Sequence, residues 1–485
     1  MTTRPHLNYR GVTVLVVALM STAAGAEVVR RIRPRTRGAD HRPPVHGPAG
    51  QRPGHRPVRL RGRAGTGPVP RSPKPGRAAG GHRIALMLVL LAAAMPIRTL
   101  GPNSVIRSMS VLDVLLLVAA VTLALDCAVR PLNIGYPRLF GLLCVPLLVC
   151  CLSLTWSQDM AATLRTTLVY LEGIVAYLFV VRELEGVPPS RVMTYIKRYS
   201  YLVIVPAVLL LLHTPGFAPA QPGLDPTSGD YLSYYSRLSH PVIGRSNNLA
   251  TVLAFFVPVL FYWGHKHHDR RFTRAGCITL IAVVLTLSRG VMLALLIMAL
   301  LAALGGVVRT HRIERRTLGT TLTAVAVAVA GVALLQQFNP STREFFGDRF
   351  SGSNVFMRSD LAEKAMAKVA ERPVLGFGGG VTPDHDPYLA IGVHNTYLQQ
   401  VVYFGLPLGL LVSLSLVGVA LFFFSRWRLG GVNRVIGFAL LAQLLIFVTE
   451  SSFEGTDLRL IFYLSIGLVT ALARACDAQE PHLRC

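Results

Sequence analysis

The chain has 485 residues, of which 52% are hydrophobic and 15% charged, and its mean hydropathy is +0.48. This composition excludes an ordinary soluble globular domain and is typical of a polytopic membrane protein. The formal net charge of +25 is concentrated near the N-terminus, where residues 30–83 hold 15 Arg or Lys against the single acid Asp40.

Residues 1–83 form a basic N-terminal region, whose part from residue 30 onward is rich in Pro, Gly and Arg and lacks any apolar period. Such a segment cannot bury enough apolar surface to fold, so we expect it to be disordered. Its apolar run at 12–26 follows Arg4 and Arg10, which is typical of a signal peptide or a short anchor. The charge would also suit nucleic acid or anionic lipid. We favour a solvated tail, or a start codon assigned too far upstream, and expect no nucleic-acid partner.

Twelve apolar runs follow one another from residue 84, and every second connecting segment carries basic residues, as cytoplasmic segments do. We therefore predict an all-α polytopic transmembrane bundle of about 12 spans over residues 84–475, followed by a cytoplasmic tail at 476–485. The loops at 214–246 and 336–395 then lie outside, and their length indicates function. The runs are 84–97, 111–127, 139–155, 163–182, 196–213, 247–264, 275–287, 291–308, 318–335, 396–424, 434–449 and 459–474.

The seventh and eighth runs belong to one apolar stretch, 275–308, which is interrupted by Ser288-Arg289-Gly290 and flanked by cations on both sides. A spanning helix needs roughly 20 apolar residues, so this stretch suits two short crossings better than one. Arg289 should then lie at the tip of a helical hairpin on the outer face. It either binds an anionic group there or anchors the hairpin among lipid headgroups.

The outer loop 336–395 is predicted to be partly helical. Asp360-Leu-Ala-Glu363 has the pattern of a capping box, and an apolar stripe at helical spacing follows and ends before Pro373. The stripe consists of Leu361, Ala362, Ala365, Met366 and Val369. The helix either lids the outer face or shapes a substrate cleft.

Two groups of residues have a spacing that could suit a metal. Asp384-His385-Asp386 could hold a divalent cation, but the prolines on either side suit a plain turn equally well. The group from His265 to Asp269 lies among Lys and Arg, which favours a solvated positive loop. We therefore predict no metal site and no cofactor.

The order and sidedness of several short motifs resemble the O-antigen ligase and polymerase family of membrane glycosyltransferases. The resemblance covers roughly residues 84–475, and twelve spans is the usual architecture of that family. The first 83 residues have no counterpart, and Tyr403 stands where an acidic residue is frequent. The motifs are Arg237-Leu-Ser, Asn247-Asn248-Leu249-Ala250, Ser288-Arg289-Gly290, Gly376-x-Gly378, His394-Asn395-x-Tyr397-Leu398 and Gly405-Leu-Pro-Leu-Gly409.

The resemblance implies that a glycan passes from a polyprenyl-pyrophosphate carrier to a lipid or glycan acceptor at the outer face of the cytoplasmic membrane. In this interpretation Arg289 and Arg237 bind the pyrophosphate, with Arg245 as the alternative to Arg237, because arginine can contact two phosphate oxygens at once. His394 activates the acceptor, since its pKa lies near neutrality.

The same resemblance assigns Asn395, Gly376 and Gly378 to substrate binding. A hydrogen-bonded loop end beside Asn395 explains His394 equally well from the sequence alone. A lipid-linked glycan flippase is the alternative function, but it should show Gly- or Pro-broken helices and charges near the midplane.

Overall fold

The computed structural model describes residues 111–211, 246–286, 288–310, 353–380, 395–426, 431–449 and 456–479, together with Leu86, Met87, Val89, Leu90 and Ala93. All regular elements in these ranges are helices. The basic region 1–83, the apolar run 318–335 and the sites Arg237, Arg245, His394 and Asp384–Asp386 lie outside the described residues. The helices are α1 (Val111–Cys127), α2 (Pro137–Ser153), α3 (Met160–Glu183), α4 (Pro189–Leu211), α5 (Ser246–Lys266), α6 (Arg270–Leu285), α7 (Arg289–Thr310), α8 (Ser353–Glu371), α9 (Thr396–Ser425), α10 (Gly431–Thr449) and α11 (Thr456–Gln479).

The helices confirm the all-α prediction for the described part of the chain. Ten of the twelve predicted apolar runs lie in α1–α7 and α9–α11, and the first run is helical at its five described residues. Six helices are long and apolar enough to cross a membrane, namely α3, α4, α5, α9, α10 and α11. α2 and the first part of α7 are shorter apolar helices.

Four helix ends meet at the carboxylate of Asp477, in the last turn of α11. The Tyr136 hydroxyl, just before α2, and the Arg426 guanidinium, just after α9, each donate to Oδ2 at 2.7 Å. Asn433, in the first turn of α10, donates to Oδ1 at 3.2 Å. Burial and the hydrogen bond to Asp477 raise the pKa of Tyr136, so its hydroxyl remains a donor at neutral pH. These residues come from segments with predicted cytoplasmic positions, and the structure brings them together.

The other end of α2 contacts a second group of segments. Gln158, between α2 and α3, donates its backbone N–H to Phe377 O at 3.1 Å, and Trp156 Nε1 donates to Leu375 O at 2.6 Å. Both contacting segments are predicted outer loops. The structure therefore places the predicted inner and outer segments at opposite ends of α2.

Helix α8 corrects one prediction from the sequence. It begins at Ser353, so Asp360 lies inside the helix and forms an ion pair with Lys364 at 2.8 Å instead of opening a capping box. The helix ends at Glu371, ahead of Pro373, as predicted. Within the predicted stripe Ala365 and Val369 are buried, whereas Met366 is 56% exposed. α8 packs on α9 through its buried side.

Helix α9 is broken at Gly405, whose backbone has φ 74° and ψ 172°. Two helical halves result, Thr396–Phe404 and Leu406–Ser425. Pro407 has no N–H to donate to the Tyr403 carbonyl, and Leu406 donates instead to Pro373 O at 2.7 Å. The break therefore takes the carbonyls of Val402 and Tyr403 out of the regular hydrogen-bond pattern of the helix. The predicted run 396–424 thus lies in one candidate span, Thr396–Ser425, but its helix is interrupted at Gly405.

Candidate functional site

Arg289 begins α7 at the turn that follows α6, so the predicted helix break at 288–290 is confirmed. Ser288 precedes the helix, its N–H donates to Thr286 Oγ1 at 3.3 Å, and its carbonyl accepts from Met292 at 3.0 Å. The first N–H groups of a helix carry positive partial charge, to which the guanidinium of Arg289 adds a full charge. The buried Ser288 hydroxyl has no hydrogen-bond partner among the described residues. This turn therefore suits an anion with several oxygen atoms.

Residues 376–380, here named the glycine segment, are bound to the break in α9. Phe377 and Gly378 donate their backbone N–H groups to the freed carbonyls of Val402 and Tyr403, at 3.2 and 2.8 Å. The Gly376 N–H donates to Arg372 O at 3.2 Å. These bonds give hydrogen-bond partners both to the helix carbonyls at the break and to the N–H groups of the glycine segment. The N–H groups of Gly376 and Gly378 are thus engaged within the chain.

Close backbone contacts explain why glycine occupies positions 376 and 378. Both residues have positive φ, 63° and 105°, a region that other residues rarely adopt. A Cβ at Gly376 would lie 2.5 Å from Tyr403 O, and a Cβ at Gly378 would overlap the Ser157 side chain. The two glycines therefore have a packing role in the described structure, and substrate contact by them stays a prediction.

Asn395 is the N-cap of α9. Its side-chain Oδ1 accepts the N–H of Leu398 at 3.0 Å, and its carbonyl accepts the N–H of Gln399 at 3.0 Å. Two residues later, the Tyr397 hydroxyl donates to Leu444 O of α10 at 2.9 Å. The start of α9 is thus fixed both to its own first turn and to α10. The role of His394, which precedes Asn395 in the sequence and lies outside the described residues, stays a prediction.

Helix α10 connects the elements that carry Arg289 and Asn395. α7, which begins at Arg289, packs on α10, and α10 also packs along α9. The glycine segment is held on the same helix α9, seven residues beyond Asn395 at Val402. The described candidates are therefore carried by α7 and α9, which both pack on α10.

A buried arginine lies between α3 and α11 and is absent from the sequence-based candidates. Arg459, near the start of α11, is 4% exposed, and its guanidinium lies 5.0 Å from the ring centroid of Tyr170 in α3. α3 and α11 pack against each other along this contact. A cation in an apolar helix is costly and indicates function. The signal was visible in the sequence, since the last apolar run begins with this residue.

The described part of the chain has no group of three or more His, Cys, Asp or Glu that could hold a metal ion. The residues from His265 to Asp269 have other partners. Asp269 caps α6 by accepting the Arg271 N–H at 2.9 Å, and the rings of His267 and Trp263 are 4.1 Å apart. Burial, with a smaller effect of Lys266, lowers the pKa of His267.

Comparison with protein families places the described site in a known context. Residues 275–413 match the family model described as O-antigen ligase, a range that includes Arg289, the glycine segment and Asn395. The match confirms, over these residues, the resemblance predicted from the motifs. Together with the apolar helices it indicates a multi-pass membrane protein of polysaccharide biosynthesis. A comparison with curated proteins found no match.

Proposed function

We propose that the chain is a membrane glycosyltransferase that transfers a glycan from a polyprenyl-pyrophosphate carrier to a lipid or glycan acceptor. The reaction would take place on the extracytoplasmic face of the cytoplasmic membrane, in the manner of an O-antigen ligase or a polysaccharide polymerase. The observation that carries this proposal is the family match over 275–413, because it spans the Arg289 turn, the glycine segment and the start of α9.

The topology that we propose has about twelve spans over residues 84–475, with both ends cytoplasmic. Two observations support it. The predicted inner segments meet at Asp477, and the predicted outer segments meet at the glycine segment, at opposite ends of α2. Because the inner segments hold the basic clusters, the Asp477 end is assigned to the cytoplasm.

In the proposed reaction an acceptor hydroxyl oxygen attacks the anomeric carbon, and the bond from that carbon to the pyrophosphate oxygen breaks. The hydroxyl proton passes to the imidazole of His394, and the negative charge that develops on the pyrophosphate is neutralised by Arg289. Arg237 or Arg245 supplies a second guanidinium. The N-cap of Asn395 supports this assignment because it fixes the backbone beside His394.

Pyrophosphate is already a good leaving group, so two arginines suffice to stabilise it in this proposal and no metal ion is needed. The turn before α7 combines the Arg289 charge with a helix N-terminus and the buried hydroxyl of Ser288, which has no hydrogen-bond partner in the part of the chain that the structure describes. Each contact between arginine and phosphate is a charge-assisted hydrogen bond.

A flippase for lipid-linked glycans is the second candidate, and the break of α9 at Gly405 is the observation that favours it. Broken helices in transporters expose backbone groups that bind the cargo. Here, however, the glycine segment occupies the carbonyls of Val402 and Tyr403. The break is thus closed by the chain itself, which supports a rigid enzyme scaffold over a transport site.

Transfer by the purified protein in liposomes tests the proposal. The measurement follows a labelled glycan from undecaprenyl pyrophosphate to the acceptor, together with release of the free carrier. Arg289→Lys should lower the rate by about one to two decades, since one charge-assisted bond is worth roughly 1.5 to 3 kcal/mol. Arg270→Lys is the matched control, because Arg270 is also the first residue of a helix but lies at the predicted cytoplasmic end and is exposed.

Translocation of the donor without any glycan transfer would support the flippase. Normal transfer by a correctly inserted Arg289→Lys protein would show that Arg289 is a headgroup anchor and not a pyrophosphate ligand.

A further inference from the structure

Two cationic side chains, those of Lys368 and Arg372, lie over the ring of Phe377, which belongs to the glycine segment. Lys368 Nζ lies 5.7 Å and Arg372 Cζ 5.3 Å from the ring centroid of Phe377. Phe377 is 5% exposed, so the ring is fixed, whereas the side chain of Arg372 is exposed. Gly376 and Gly378 flank the ring, and their backbone is held on α9 and by Arg372 O. The two positive charges of Lys368 and Arg372 therefore lie on a rigid support, the fixed ring of Phe377.

The pair carries a net positive charge. Lys368 and Arg372 are four residues apart at the end of α8, and like charges at this spacing repel each other. Glu371 pairs with Lys368 at 3.1 Å, but no described carboxylate pairs with Arg372. The helix dipole favours a cation here, yet it does not explain why both side chains approach the same ring. A bound anion would offset the repulsion.

Exposed apolar side chains next to the pair indicate that the anion belongs to a lipid. Val374 is 61% exposed and Leu375 47%, and Pro373 alone separates them from Arg372 in the chain. Leu406, whose N–H donates to Pro373 O, is 52% exposed. Trp156, which donates to Leu375 O, is a residue type enriched at the membrane–water interface. The surface thus combines apolar contact area with two cations at the outer end of the bundle.

A general attraction to anionic membrane surfaces does not account for the pair. Binding of that kind uses clusters of about 4 to 8 basic residues. α8 has Arg358, Lys364 and Lys368 against Asp360, Glu363 and Glu371, and is neutral overall. The charge is therefore local to the Phe377 ring, which suits one phosphate group at one position.

We propose that Lys368 and Arg372 bind a phosphate group at the lipid end of the acceptor, separately from the pyrophosphate of the donor. That the phosphate belongs to the acceptor rests on the proposed function. That the two residues bind a phosphate rests on the described geometry alone. The guanidinium of Arg372 would contact two phosphate oxygens while its flat face stays on Phe377. Val374 and Leu375 would contact the first methylene groups of the lipid.

The binding test uses the full chain in phosphatidylcholine nanodiscs and three probes: phosphatidic acid, diacylglycerol and undecaprenyl pyrophosphate. The protein should bind phosphatidic acid and not diacylglycerol. Arg372→Ala and Lys368→Ala should each weaken phosphatidic acid binding by about tenfold, the size of one charge-assisted contact at an exposed site, and leave undecaprenyl pyrophosphate binding unchanged. Lys364→Ala is the matched control, since Lys364 lies one turn earlier and pairs with Asp360.

The kinetic test uses the transfer assay described above. Arg372→Ala should raise the KM for a phosphorylated lipid acceptor by about tenfold, with the KM for the donor unchanged and the KM for the dephosphorylated acceptor insensitive to the substitution. The transfer step itself should keep its kcat.

Three results would overturn the inference. The first is equal binding by Arg372→Ala, or an equal loss in Lys364→Ala. The second is a parallel loss of undecaprenyl pyrophosphate affinity, which would assign the pair to the donor. The third is displacement of phosphatidic acid by an equal amount of phosphatidylglycerol, which would indicate bulk lipid. If the unaltered protein transfers no glycan but Arg372→Ala still loses phosphatidic acid, the proposed function fails and the phosphate site stands.

Discussion

The contact between the glycine segment and the break in α9 makes a quantitative prediction for Gly405→Ala. The backbone at Gly405, with φ 74° and ψ 172°, lies in a region almost reserved for glycine, and holding alanine there costs about 1 to 3 kcal/mol. The added Cβ would also overlap the carbonyl of Val374. Moving that segment away would break the bond from Leu406 to Pro373 and strain the bonds from Phe377 and Gly378.

Each hydrogen bond contributes about 1 kcal/mol, so one broken bond and two strained bonds cost about 1 to 3 kcal/mol. With the backbone strain, the free energy of unfolding should fall by about 2 to 6 kcal/mol. Gly186→Ala is the matched control because Gly186 also has a positive φ, 68°, but a Cβ there would meet nothing within 4 Å. It should lose only about 1 kcal/mol. Gly141→Ala, within α2 and equally open, should gain up to about 1 kcal/mol.

The assay is titration with SDS in mixed micelles, with helix content followed by circular dichroism. A loss in Gly405→Ala no larger than that in Gly186→Ala would refute the close packing of the glycine segment on α9. It would then follow that the break in α9 costs backbone strain alone and holds nothing in place.

Three further predictions concern catalysis, topology and the inner end of the bundle. His394→Ala should lower the rate of glycan transfer by about 10² to 10⁴, the contribution of a general base. His385→Ala and a chelator should change the rate little. Loss of transfer on chelation, with rescue by Mg²⁺ or Mn²⁺, would instead assign the catalytic site to the loop that contains His385. In a Cys-free background, a cysteine at position 385 should react with an impermeant reagent in intact cells and one replacing His267 should not, and the reverse labelling would invert the topology. Tyr136→Phe should lower the free energy of unfolding by about 1 kcal/mol at neutral pH through loss of the bond to Asp477. Because the pKa of Tyr136 is raised in the folded state, the bond contributes fully below the ordinary tyrosine pKa, so the difference from the unaltered chain should disappear only as the pH rises through the folded value.

The positions of the helices could be predicted because hydrophobic length and basic flanks are local properties of the sequence. α1 occupies the predicted run 111–127, and the turn at Ser288 separates two helices as expected. The Asp360 prediction failed because an acid followed by a glutamate three positions later also occurs inside helices. Inside the helix, the carboxylate of Asp360 pairs with Lys364, whereas at a helix start it would accept from the backbone N–H groups of the first turn.

The site could be predicted only as a set of residues, since its packing depends on contacts between distant segments. The Gly405 motif was recognised in the sequence, but its role requires the carbonyl of Val374 at the same place. Likewise, Asn395 could be identified as polar and adjacent to His394, whereas its capping of α9 depends on the backbone at that position. Arg372 gave no signal in sequence because an exposed arginine after a helix is ordinary.

The two halves of α9 also have different relations to the membrane. Leu406–Ser425 contains 20 residues and is about 30 Å long, enough by itself to match the thickness of the hydrocarbon layer. The nine residues of Thr396–Phe404, about 13 Å in length, are therefore surplus to the crossing. In the proposed topology, these nine residues would place Asn395 beyond the hydrocarbon layer, at the depth of the lipid headgroups. If the proposed function holds, a sugar bound beside Asn395 would stay hydrated during transfer, and only its lipid tail would remain in the bilayer.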